Sequence, residues 1–184
     1  MEEVELIVAH RVRATLRVGD VFLKIDADQT RTDVEVEAMA MAPDEFASQL
    51  ERECTRLITN GVLPTDLVTD NRRVAEAALR PWTAVFVHGD LQVDHVFVDI
   101  DEVIGVVDWS EASRGDALYD LATLTLGHEE HLGDVVSGYG TDVDLGVIRA
   151  WWSLRSLLGV RWLIEHGFDP FSPGCEVDVL RARM

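Results

Sequence analysis

Between residues 4 and 26, apolar and polar positions alternate in two blocks, VELIVAHRV and ATLRVGDVFLKID. A period of two predicts extended strands, with Gly19-Asp20 as the turn between TLRV and VFLKI. The next segment, DVEVEAMAMA, fits either period; its Ala and Met content tilts residues 33–42 toward helix, until Pro43 interrupts it. From Asp44 the texture changes. Phe46, Leu50, Cys54, Leu57 and Ile58 recur at helical spacing, and Asn60-Gly61 supplies a stop. A second helix is expected from Thr65 or Asp66 to Leu79, before Pro81. Ala84–Val87, Val96–Val98 and Val103–Val107 are short β-rich runs, the last two joined as a hairpin through residues 99–102. Asp116 can cap a helix reaching about Leu126, and Val143–His166 reads as one long helix closed by Gly167. The class is α+β with a seam near Pro43-Asp44: residues 1–43 form a small sheet-plus-helix unit, and residues 44–184 a larger helical unit holding one hairpin.

Composition narrows the partners. The 184 residues are 47% hydrophobic, enough for a core, and carry a formal net charge of -18. A carboxylate surplus disfavours a nucleic-acid backbone and favours a cationic small molecule. Cys54 and Cys175, far apart and outside any CxxC pattern, fit reduced thiols in the cytoplasm. The opening MEEVELIVAHRVR is no secretory signal, and Arg155 and Arg161 interrupt the most apolar late segment, so no membrane span is expected. Oligomeric state is not legible in the letters.

The densest chemistry lies in VFVHGDLQVDHVFVD, residues 85–99, where two acids and two histidines fall within His88–His95. If Val96–Asp99 runs out and Val103–Val107 returns, strand pairing brings Asp108 back to Asp94 and His95, with Asp90 just upstream. Gathered acids are costly unless cations offset them. A divalent ion is the natural partner, because Mg2+ takes one or two carboxylates and fills its other positions with water and phosphate oxygens. The same letters admit a different chemistry, a metal-dependent hydrolase with His88, Asp90, Asp94 and His95 as ligands of Zn2+ or Mn2+.

HGDLQVDH followed by VIGVVDWSEASRGDALYDLA resembles the aminoglycoside phosphotransferase family of the protein-kinase-like superfamily. That family's pattern is H-G-D-x-x-x-x-N, a short hairpin, I-D-W, then G-D-x-x-Y-D-L-A, and order and spacing agree from His88 to Ala122. The resemblance implies a protein-kinase-like fold with a reduced N-terminal lobe and a mainly helical C-terminal lobe containing the hairpin. It implies transfer of the γ-phosphoryl group of ATP or GTP, with Mg2+, to a hydroxyl of a small acceptor, for which the net charge favours a cation. Asp90 would orient that hydroxyl and accept its proton, while Asp108 would ligate the metal with His95 at the neighbouring position. Lys24 on the VFLKID strand would lie along the phosphates, paired with Glu35 or, behind it, Glu37. His88 is expected to brace the loop, Asp116 to cap its helix and Asp120 to bond loop backbone. Trp109, Trp151, Trp152 and Trp162 are expected in the core or a groove wall.

Two features depart from the pattern. His95 stands where the family has Asn, offering nitrogen where Mg2+ prefers oxygen. It either donates to phosphate, leaves the oxygen to Asp94, or marks a site with fewer ions. The family's further strands and base-binding hinge have no counterpart between Met39 and Asp44, and HRVRAT lacks the glycines of a phosphate-covering turn. These gaps motivate a third reading, a kinase-like binding protein without turnover.

Overall fold

The computed structural model describes the backbone of strands at residues 4–9, 13–18 and 21–26, and residues 42–100 and 102–183. The first three strands, β1 (Val4–Ala9), β2 (Arg13–Val18) and β3 (Val21–Asp26), form an antiparallel sheet in sequence order. Val18 pairs with Val21, closing the β2–β3 hairpin over the predicted Gly19-Asp20 positions, which lie outside the described residues. Lys24 falls on β3 opposite Thr15. The helix expected over residues 33–42, with Glu35 and Glu37, also lies outside them except for Ala42, which is extended.

The helical part begins with α1 (Pro43–Thr59), one residue ahead of the predicted seam. Proline suits a first helical position because its missing N–H has no intrahelical acceptor there, and the Glu45 carboxylate accepts from the Ala42 N–H at 3.1 Å. Leu50, Glu53, Cys54 and Leu57 bury one face; Ile58, expected with them, is at the surface. Gly61 takes φ +65 after the helix, and the Val62 N–H donates to the Leu57 carbonyl. Next, α2 (Thr65–Ala75) continues as a 3-10 turn to Leu79, so the predicted helix is right in extent and tightens at its end. Strands β4 (Val85–Val87), β5 (Val96–Asp99), β6 (Glu102–Val106) and β7 (Ser113–Gly115) follow. The predicted hairpin is β5–β6. An unpredicted pairing joins β4 to β7. The rest is α3 (Ala117–Thr125), α4 (Leu132–Tyr139), α5 (Leu145–Glu165) and α6 (Glu176–Arg181).

Helix α5 is the axis on which α1, α2, α3 and α6 pack. Ten of its residues are buried, including the consecutive run Ala150–Leu154, so it shows no single apolar stripe. Several polar groups buried at these contacts find partners across the packing: Ser153 Oγ donates to Asn71 Oδ1 on α2, Asn71 Nδ2 to the Leu180 carbonyl, and Trp152 Nε1 to the Ala122 carbonyl. Trp151, Trp82, Phe46 and Tyr119 form an aromatic cluster at the α1–α3–α5 contact. Trp151 and Trp152 are core, as expected. Trp162 is not: 52% exposed, it stacks on His166 at the surface, although Val160 two residues earlier is fully buried. No helix among the described residues is long and apolar enough to cross a membrane.

Glu53 is buried on α1 and accepts from both Arg161 Nε (2.7 Å) and Nη2 (3.1 Å) on α5. The Arg161 hydrogen bonds outweigh burial and hold its carboxyl below the ordinary 4.5. A depressed folded-state pKa adds stability above the unfolded value, and this is lost as pH falls through the folded one. Glu53→Gln is therefore expected to lower the melting temperature at pH 7, and the gap to wild type should close as pH falls below 4.5. A gap that stays constant in melts from pH 7 to pH 3 would refute this assignment.

Candidate active site

The β4–β7 pair and the β5–β6 hairpin present their ends to one another through the loop that starts at His88. Val96 pairs with Val106, and the Val107 N–H donates to the His95 carbonyl at 3.0 Å, extending the ladder one step past the hairpin. This register sets His95 opposite Val107 and delivers Asp108 beside the loop. Asp108 has φ +59, ψ +59, a left-handed conformation that Asp tolerates better than most side chains, and Oδ1 accepts from Ser110 Oγ at 2.6 Å. Its Oδ2 lies 3.9 Å from His95 Nε2. The other ring nitrogen, Nδ1, lies 2.7 Å from the Asp90 carbonyl oxygen. One imidazole thus spans the gap between the two aspartates.

The loop is clamped from beneath. Asp120 on α3 accepts the His88 N–H through Oδ2 at 2.7 Å and the Gly89 N–H through Oδ1 at 3.0 Å, the backbone role expected of it. Gly89 sits at φ +84 with the Glu111 carbonyl against it: a Cβ there would fall 2.1 Å from that oxygen. His88 is buried, and both ring nitrogens are used. The Asp90 N–H donates to Nδ1 at 3.3 Å, so Nε2 carries the proton and donates to the Val107 carbonyl at 2.9 Å. His88 therefore ties the Asp90 loop to the residue before Asp108. Trp109 leans over the His88 ring and stacks with Phe86, as a wall rather than a core residue.

Asp116 does more than the expected cap. Its Oδ1 accepts from the Leu118 N–H, while Oδ2 accepts from Arg80 Nη1 at 2.7 Å and Trp151 Nε1 at 2.8 Å. These three donors satisfy a carboxylate that is itself buried. Asp116→Ala should remove the cap and leave Arg80 and the buried Trp151 indole without their acceptor. A loss of about 2–4 kcal/mol in urea unfolding is expected.

The Asp90 carboxylate has two partners the sequence did not single out. Gln92 Nε2 donates to Oδ1 at 2.8 Å and lies 3.0 Å from Oδ2; Arg155 Nη2 on α5 donates to Oδ1 at 2.7 Å. Arg155 also pairs with Glu176 on α6 at 3.6 Å. Burial works against the guanidinium charge, yet Tyr119, Asp90 and Glu176 around it hold its pKa above the usual arginine value. Burial also pushes the adjacent Tyr119 phenol up, leaving it neutral at pH 7. The available sequence signal was a charge inside the apolar run AWWSLRSLLGV, since a buried arginine requires an acid. Beside this pair lies a cavity of about 220 Å³, lined by Gln92, Asp94, Thr123, Arg155, Cys175 and Glu176 among others.

Asp90, His95 and Asp108 are thus brought together. Lys24 is on its expected strand, and Glu35 is outside the described residues. Among the described residues no three His, Cys, Asp or Glu side chains converge on one point. The hydrolase reading also loses His88 as a ligand, because neither ring nitrogen is available.

Residues 7–155 match the model of the phosphotransferase enzyme family. The viomycin phosphotransferase of Streptomyces vinaceus is 33% identical over 132 residues, 66% of this chain and 45% of the relative, so the chain spans about half the relative's length. Among solved structures, the GDP complex of an aminoglycoside 2'-phosphotransferase-IIIa variant aligns at TM-score 0.55 and 14% identity, covering 98% of this chain and 91% of that one. The streptomycin–ATP–APH(2")-IIa ternary complex aligns at TM-score 0.50 and 10% identity, covering 99% and 92%. At these identities the structures establish the fold, the protein-kinase-like α+β architecture expected from the motif blocks. The family match, spanning most of the sequence and both aspartates, establishes the rest: the chain belongs to the phosphotransferase enzyme family.

Proposed function

We propose that this protein is a small-molecule O-phosphotransferase that moves the γ-phosphoryl group of ATP or GTP to an acceptor alcohol. The observation that carries the reading is the His95 imidazole set between the Asp90 carbonyl and the Asp108 carboxylate. It joins the hydroxyl-handling and metal-handling halves of one site. Asp90 orients the acceptor hydroxyl and takes its proton, with Arg155 and Gln92 fixing the carboxylate's direction. Asp108 and His95 are the residues that would hold a divalent ion. Such an ion supplies neutralisation of the donor phosphates and of charge developing on them. By the family resemblance, Lys24 and Glu35 would serve the donor phosphates. Exposed Phe97 and Ile104 on the hairpin next to the metal residues offer apolar surface to the nucleotide base.

The cavity beside Asp90 receives the acceptor. Asp94 and Glu176 line it, and together with the net charge of -18 they favour an acceptor bearing amines. A relative is named for viomycin, and one solved neighbour holds streptomycin and ATP. Free Cys54 and Cys175 and the need for nucleoside triphosphate support a cytoplasmic location.

The test is a thermal-shift series with ATP and with GTP, each with and without Mg2+, followed by acceptor alcohols with and without amines. Stabilisation of about 2.7 kcal/mol is expected when metal-nucleotide reaches one hundred times its Kd. Stabilisation by nucleotide without detectable transfer to any acceptor would favour the binding-protein reading. No response to either nucleotide with metal would reject both.

A further inference from the structure

We propose that His95 is itself a metal ligand, through Nε2, and that it shifts this site from Mg2+ toward first-row transition ions such as Mn2+ or Co2+. The inference rests on the phosphotransferase reading and adds the class of ion the site selects.

The ring's hydrogen bonding decides which nitrogen can bind. A carbonyl oxygen only accepts, so the 2.7 Å contact to the Asp90 carbonyl requires the proton on Nδ1. In the neutral ring Nε2 is then left with its lone pair. That nitrogen lies 3.9 Å from Asp108 Oδ2, too far for a direct hydrogen bond and close enough for the two atoms to act on one ion. A ring N–H anchored on a backbone carbonyl is also the usual support of a metal-bound histidine, because it sets tautomer and orientation together. The ring does not wander: His95 ends a 3-10 turn whose N–H donates to the Gln92 carbonyl, and its face stacks on buried His88 at 5.8 Å.

Ion choice follows from the donor set. One carboxylate and one imidazole suit an ion that accepts nitrogen, whereas Mg2+ strongly prefers oxygen and gives up water reluctantly. With Asn at this position the site would offer two oxygens.

Mn2+ is the probe that reports the contact. The full chain is prepared with 15N-labelled histidine, and electron spin echo modulation is recorded for Mn2+ with ATP and with GTP. The expected result is a nitrogen coupling that changes from 14N to 15N with the label and is lost in His95→Asn. That variant should bind Mn2+ roughly 10-fold or more weakly in an EPR titration, with a smaller change for Mg2+. A Mn2+-nucleotide complex without histidine nitrogen coupling would overturn the inference and leave the phosphotransferase reading standing. So would a coupling that persists in His95→Asn. Failure of Mn2+-nucleotide to bind would overturn the inference, and failure with Mg2+ as well would overturn both. If His95→Asn does not fold, the labelled wild-type spectrum decides alone.

Discussion

Asp90→Asn is expected to reduce phosphoryl transfer by about 10²–10⁴-fold while leaving the fold in place. The amide keeps one oxygen for Arg155, and Arg155 keeps Glu176, so no buried charge is stranded. What disappears is the anionic oxygen proposed to take the acceptor's proton. Because Asp90 is partly exposed, the melting temperature should move little. The neighbouring substitution Arg155→Ala separates positioning from proton transfer. It leaves Asp90 intact but loosens its direction, so kcat should fall with little change in KM for the nucleotide, and Arg155→Lys should recover only part of the loss. Rapid turnover by Asp90→Asn, measured by phosphate transfer to any acceptor, would remove Asp90 from the chemistry.

The second large effect is expected at Gly89. Alanine there meets two penalties at once: the backbone is left-handed at φ +84, and the new Cβ would sit 2.1 Å from the Glu111 carbonyl oxygen. Relief requires the loop to move off the 3-10 turn at Trp109–Glu111, which breaks the His88 and Gly89 N–H bonds to Asp120 and shifts Asp90 with them. A loss of roughly 2–4 kcal/mol, or about 5–15 °C, is expected together with loss of transfer. Gly61→Ala is the control, since Gly61 is also left-handed at φ +65 but has open space around it. It should cost only about 1 kcal/mol. Equal effects at the two glycines, measured by thermal melts, would show that the Glu111 contact contributes nothing.

Much of the fold was legible because local patterning and packing agree. The period of two in VELIVA and VFLKID, the helical spacing of Leu50, Cys54 and Leu57, and the stops at Gly61 and Gly167 all act within a few residues. The hairpin was legible for the same reason, and with it the return of Asp108 to His95. Two of the sequence misses have clear physical causes. β7 is three residues long with the composition SRG, so it has no apolar period and exists only because β4 lies beside it. Trp162 shares its letters with the buried tryptophans of α5, and only the arrangement of surrounding helices places it outside.

The letters from His88 to Ala122 determined on their own which loop, which hairpin and which helix cap build the site, because each is a short-range consequence of residue type and spacing. Only the tertiary structure decided that Arg155 and Glu176 stand behind Asp90, that Asp116 holds Arg80 and Trp151, and that the His95 ring bridges two aspartates. Those contacts join positions up to 86 residues apart, such as Asp90 and Glu176 through Arg155. Their partners are chosen by how helices pack around α5, and no local period encodes that packing.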